Sequence, residues 1–129
     1  MHAFIVDLPN RPGSLADVCE AVAAAGANIT GVTGSTAGDA GQVTLTTDDM
    51  EGTRAAIGAR GWRFREVALA IAALEHRSGT LAAAARGLAD AGINIETMFV
   101  IGMDGEKVQV AFGVSNAEAA EAALGKMGS

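Results

Sequence analysis

The chain has 129 residues, half of them apolar and 19% charged, with a net charge of −6. That composition is globular rather than disordered. Nine scattered Lys and Arg and 4% aromatic residues argue against nucleic-acid binding, which needs clustered cations or stacking platforms. One cysteine, Cys19, excludes an internal disulfide and a cysteine metal cluster.

Residues 3–8 are short and β-rich, which predicts a first strand. Pro12 suits the first turn of a helix, and Ser14 with Asp17 has the spacing of a capping box. Leu15, Val18, Cys19 and Val22 fall on one helical face, which makes Cys19 a buried small hydrophobe. Gly26 ends that helix in the manner of a left-handed cap. A strand over 28–36, a turn at 38–41 and an alternating strand over 42–47 follow. Asp48 or Asp49 caps a second helix running to about Gly58 or Arg60. Residues 62–67 alternate again, with Trp62, Phe64 and Glu66 on one side and the arginines on the other. Trp62 is read as an anchor of the sheet edge or of the unit interface.

The order then repeats: a strand over 68–75, a helix with Leu81, Ala84, Ala85 and Leu88 on its face, and a strand over 94–101. Asp104-Gly105 is a hairpin signal. A strand over 107–114 and a helix from Ser115 or Asn116 to about Leu124 or Gly125 close the chain. The repeat is also literal. Gly13, Leu15, Gly26, Asn28 and Ile29 recur as Gly79, Leu81, Gly92, Asn94 and Ile95, each 66 residues later. Beyond the hairpin the offset is 67, as in Gln42 with Gln109, which predicts one extra residue in the second hairpin loop.

The chain therefore reads as an α+β protein of two tandem ferredoxin-like βαββαβ units, residues 1–67 and 68–129. Each is an antiparallel sheet with helices on one face. The second apparently lacks its last strand. Either residues 62–75 form one long strand serving both units, or a neighbouring chain covers the open edge. A homodimer is the expected assembly.

The chemistry lies in the repeated glycine loop. A helix begins just after Gly13, and its first N–H groups lack intrahelical partners and carry partial positive charge. Such a site attracts a carboxylate. Asn10 and Asn28 add amides, which completes a minimal amino-acid site. The same glycines and asparagines also serve as ordinary turn residues.

Asn10-Arg11-Pro12-Gly13-Ser14-Leu15 followed by Gly26-Ala27-Asn28-Ile29, on a β-α-β-β-α-β unit, resembles the ACT domain. These are small allosteric modules that bind amino acids beside metabolic enzymes. The resemblance implies ligand contacts from Asn10, Arg11, Pro12, Gly13, Ser14, Leu15, Asn28 and Ile29. In the second copy it implies His76, Gly79, Thr80, Leu81, Asn94 and Ile95. Asn10 in this loop looks like the serine-binding form of phosphoglycerate dehydrogenase regulatory domains. His76 and Ser78 replace Asn10 and Pro12 in the second copy, so the two copies are unequal.

The expected function is a non-catalytic regulatory protein that binds a small amino acid at an interface between such units or chains. Its expected partner is a metabolic enzyme or regulator. The alternatives are an interaction adaptor of the same fold without a ligand, and an enzyme on a ferredoxin-like fold. Glu75, His76 and Ser78 are neighbours along a turn and make a poor catalytic trio. No metal, cofactor or nucleic-acid partner is expected. The longest apolar run, Val67–Leu74, has eight residues, against about twenty for a membrane span. Without a leader-like N-terminus, a cytoplasmic location is expected.

Overall fold

The computed structural model describes residues 1–127, with side chains through Gly125. The chain divides into two compact units, His2–Glu66 and Val67 onward, with Met1 counted in the second.

In the first unit, β1 (His2–Pro9), α1 (Ser14–Ala24), β2 (Ile29–Ala37), β3 (Ala40–Thr47) and α2 (Met50–Ala59) follow in order. β3 lies between β1 and β2, antiparallel to both. Phe4, Val6 and Leu8 alternate on β1 and meet Val18 and Val22 of α1, Val43 and Leu45 of β3, and Ile57 of α2. This is the two-residue period of a strand matched to one helical stripe. Leu15, placed on that stripe by spacing, is 53% exposed, and Cys19 is half-buried rather than buried. Both lie at the margin of the buried stripe centred on Val18 and Val22.

The second unit repeats the layout with α3 (Thr80–Asp90), β5 (Ile95–Asp104), β6 (Lys107–Val114) and α4 (Ala117–Met127). β6 pairs antiparallel with β4 on one side and β5 on the other. Its core holds Ala70, Ala84, Leu88, Val110, Phe112 and Val114. α4 runs past Gly125, because a single glycine costs a helix only about 1 kcal/mol.

β4 (Phe64–Glu75) is one unbroken strand of 12 residues. Its first residues belong to the first unit, where Asp7 N–H donates to the Arg63 carbonyl just ahead of the strand over 2.9 Å. The remainder belongs to the second unit, where Ala68–Glu75 pairs with β6. The one-long-strand alternative is the one found, and the expected unit boundary after residue 67 falls inside it. In the second unit α4 is the last element among the described residues. Trp62 packs against the core of the first unit, with the Arg60 guanidinium 4.6 Å from its ring centre.

The extra residue of the second copy is not in the hairpin loop. Ala37 pairs with Ala40, and Asp104 with Lys107, so both loops hold two residues. In β5 the register instead slips between Val100, paired with Val110, and Gly102, paired with Gln109, which leaves Ile101 as a bulge. The bulge is absorbed there because β5 ends the strand order β4-β6-β5. A strand at that position bends without breaking a second ladder, and the paired residues keep their faces.

Candidate functional site

The loop after β1 does not form the expected capping box. Gly13, at φ 91°, is the residue preceding α1, and no side chain caps the helix. That left-handed conformation is what a glycine permits cheaply. Pro12 precedes the helix rather than entering its first turn. The Ser14 hydroxyl turns back and donates to the Pro9 carbonyl over 2.7 Å. Asp17 N–H donates to the Gly13 carbonyl and Ser14 N–H to that of Arg11. The N–H groups of Leu15 and Ala16 find no acceptor among the described residues. The helix start is thus left open to an anion.

Asn10 fastens this loop to the β2–β3 turn. Its Nδ2 donates to the Gly38 carbonyl over 2.9 Å, and its N–H to that of Asp39 over 2.8 Å. A cleft of about 440 Å³ opens beside the loop. Asn10, Arg11, Ser14 and Leu15 form one wall, with Leu8 and Pro9 below. Ser35, Thr36 and Gln42 of the β2–β3 hairpin form the other. The volume fits a small molecule. The cleft joins one guanidinium, a helix start, several neutral hydrogen-bonding groups and an apolar corner at Leu8 and Leu15.

Sequence reasoning missed the hairpin wall. The available signal was Gly34 and Gly41, glycines inside strands, which mark close approach or an opening; both line the cleft.

Asn28 and Ile29 do not join this cleft within the first unit. Ile29 pairs with Thr47 at one end of the strands, whereas Pro9 pairs with Ala40 at the other. Seven steps along β3, from Ala40 to Thr47, separate the two ends, roughly 23 Å at strand rise. The Asn28 backbone is tied locally: its N–H donates to Asp48 Oδ1 over 2.8 Å, and Asp48 N–H returns to its carbonyl.

The second copy repeats the loop geometry. Gly79 has φ 90°, and Thr80 Oγ1 donates to the Glu75 carbonyl over 2.8 Å, as Ser14 does to Pro9. Leu81 is exposed, like Leu15. The second loop lacks the tie to its hairpin: among the described residues His76 makes no bond equivalent to those of Asn10. Glu75 instead pairs with Arg77 at 2.8 Å, which holds its carboxyl below the usual range. An open depression of about 1060 Å³ lies between Glu75–Arg77 and the β5–β6 turn. Asn94 and Ile95 again sit at the opposite end, where Ile95 pairs with Val114. Met98 and Met103, both within β5, are exposed. No group of acidic, histidine or cysteine side chains among the described residues is arranged to hold a metal.

No curated protein matches the chain in sequence. Solved structures match its fold across nearly its full length. A protein from Bacteroides thetaiotaomicron aligns at TM-score 0.81 and 19% identity, over 98% of this chain and 88% of that one. The regulatory subunit of aspartate kinase from Thermus thermophilus aligns at 0.71 and 19%, over 97% and 90%. A structure of aspartokinase alpha and beta subunits aligns at 0.70 and 25%, over 97% and 90%. The family model of the ACT domain matches residues 2–57, which hold β1 to α2 and the loop that walls the cleft. The first unit of this chain matches the ACT-domain model in sequence, and the second repeats its α+β architecture.

Proposed function

We propose that this chain is a non-catalytic regulatory module that binds a small amino acid. The supporting observation is the cleft of the first unit, where Arg11 and the open start of α1 stand opposite Ser35, Thr36 and Gln42. A carboxylate fits against the cation and the helix start. Leu8 and Leu15 favour a small, largely apolar side chain.

Asn28 lies at the far end of the unit, so in this reading a second chain brings its Asn28 to the cleft, and the protein works as a cytoplasmic homodimer. Ligand binding then stabilises one arrangement of chains over another. An enzyme or regulator of amino-acid metabolism reads that arrangement. The likeness to aspartate kinase regulatory subunits supports this class of partner. The second copy, with His76 for Asn10 and a loop not tied to its hairpin, plays the lesser part in binding.

Isothermal titration of the full chain against each of the twenty amino acids tests the reading. At least one binds, and Arg11→Ala weakens it at least tenfold while the fold is kept. Absence of heat from all twenty at millimolar concentration overturns the proposal.

A further inference from the structure

The duplication gives the second unit an internal control. In the first unit, the edge of β1 away from β3 is closed by the segment entering β4. Arg63 accepts from Asp7 N–H, Trp62 and Phe64 pack on the core, and Glu66 forms a two-point pair with Arg54 of α2. The counterpart of β1 in the second unit is Ala68–Glu75 of β4, and Ala73 stands where Asp7 does, 66 residues later. Along this edge Leu69 N–H donates to the Met1 carbonyl over 3.0 Å. Past that point no described residue bonds to it. Backbone groups alternate sides along a strand, so the N–H and C=O of Ile71 and Ala73 face away from β6 without partners among the described residues.

A groove of about 470 Å³ runs along this edge, under Thr80 and Ala83 of α3 and Glu121 and Leu124 of α4. Two of its floor residues, Ala72 and Ala84, stand where the first unit buries Val6 and Val18. The groove is therefore wider than its counterpart as well as unfilled. Of the charged residues that line it, Glu75, Arg77, Lys107 and Glu121, the one on α4 reverses the sign found in the first unit. Both N-caps, Asp49 and Asn116, set the helix offset at 67, so Glu121 stands where Arg54 stands.

We propose that this groove of the second unit docks an extended segment of a partner protein, which adds to β4 as an antiparallel strand through Ile71 and Ala73. The first unit states the required chemistry. Its own segment presents Trp62, Phe64 and Glu66 to the helices, the last paired with Arg54. With Glu121 in place of Arg54, the docked strand carries two large apolar or aromatic residues at alternate positions and a Lys or Arg at the third. Main-chain bonds supply affinity and the alternate pockets supply specificity. The groove is separate from the amino-acid cleft, and the proposal does not rest on that reading.

The probe is a capped hexapeptide Gly-Trp-Arg-Phe-Arg-Lys added to the full isotope-labelled chain. Binding should slow hydrogen exchange at the Ile71 and Ala73 amides. Replacing the terminal Lys by Glu should weaken it up to about fivefold, the scale of an exposed ion pair. Glu121→Lys should invert that preference. Ala73→Pro, placed on an edge where proline is tolerated, should abolish binding. Unprotected Ile71 and Ala73 amides at millimolar peptide overturn the proposal, as does a Lys-over-Glu preference that Glu121→Lys leaves unchanged. Self-association in sedimentation that Ala73→Pro abolishes also overturns it, by assigning the groove to a second copy of this chain.

Discussion

The hydroxyl of Ser14 donates to the carbonyl oxygen of Pro9 across 2.7 Å, tying the first residue of α1 to the last residue of β1. Thr80 does the same for Glu75 in the second copy, so the clasp survives a change of residue because both types carry the hydroxyl. Ser14→Ala should cost about 1 kcal/mol in chemical denaturation, the usual scale of one hydrogen bond. Ser14→Thr should restore most of it. Amino-acid affinity in calorimetry should follow the same order.

Gly13 holds φ 91° with open space where a Cβ would go. The cost of a side chain there is conformational rather than steric. Gly13→Ala should lower stability by about 1–2 kcal/mol, measured as a shift in the urea midpoint with an unchanged slope. Gly79→Ala should match it, since its φ is 90°.

At Gly113 the reverse holds. A Cβ there would sit 2.5 Å from Thr97 Cγ2 and 2.7 Å from Val67 Cγ1, both β-branched side chains of strands. Gly113→Ala should destabilise by about 1–3 kcal/mol through overpacking. Pairing the change with Thr97→Ser, which removes the nearer methyl, should recover part of the loss in the same denaturation assay.

Arg54 grips both carboxylate oxygens of Glu66 at 2.7 Å, and His2 Nδ1 lies 3.4 Å away. The hydrogen bond from Arg54 is the main cause holding Glu66 below the ordinary glutamate value. Partial burial opposes it, and His2 adds a smaller downward pull. The folded value is thus below the unfolded one of about 4.3. The stabilisation is complete above that pH and is lost as the pH falls through the folded value. Glu66→Gln should flatten this part of the acid limb in denaturation midpoints taken from about pH 3 to about pH 7.

Most of the element order was legible in the residues because local signals agreed with it. Gly13 and Gly79, Gly26 and Gly92, and Asp104-Gly105 mark turns that the backbone makes at those places. The 66-residue repeat by itself announces a second unit. Two local signals misled. Ser14 and Asp17 have capping-box spacing, yet the Pro9 carbonyl is the partner that the turn at Gly13 brings within reach of Ser14. The offset of 67 predicts an insertion in the second hairpin loop, whereas the ladder with β6 places it at Ile101.

The sequence by itself determined the duplication, the α+β order, the two glycine loops and the anion-attracting helix starts, since each depends on residues near one another in the chain. Only the tertiary structure decided that Asn10 and Asn28 lie at opposite ends of their unit. It also showed that Ser35, Thr36 and Gln42 wall the cleft, and that the outward backbone groups of Ile71 and Ala73 have no partner among the described residues. These depend on strand register and on which edge another strand closes, and both are set by contacts between residues far apart in the chain.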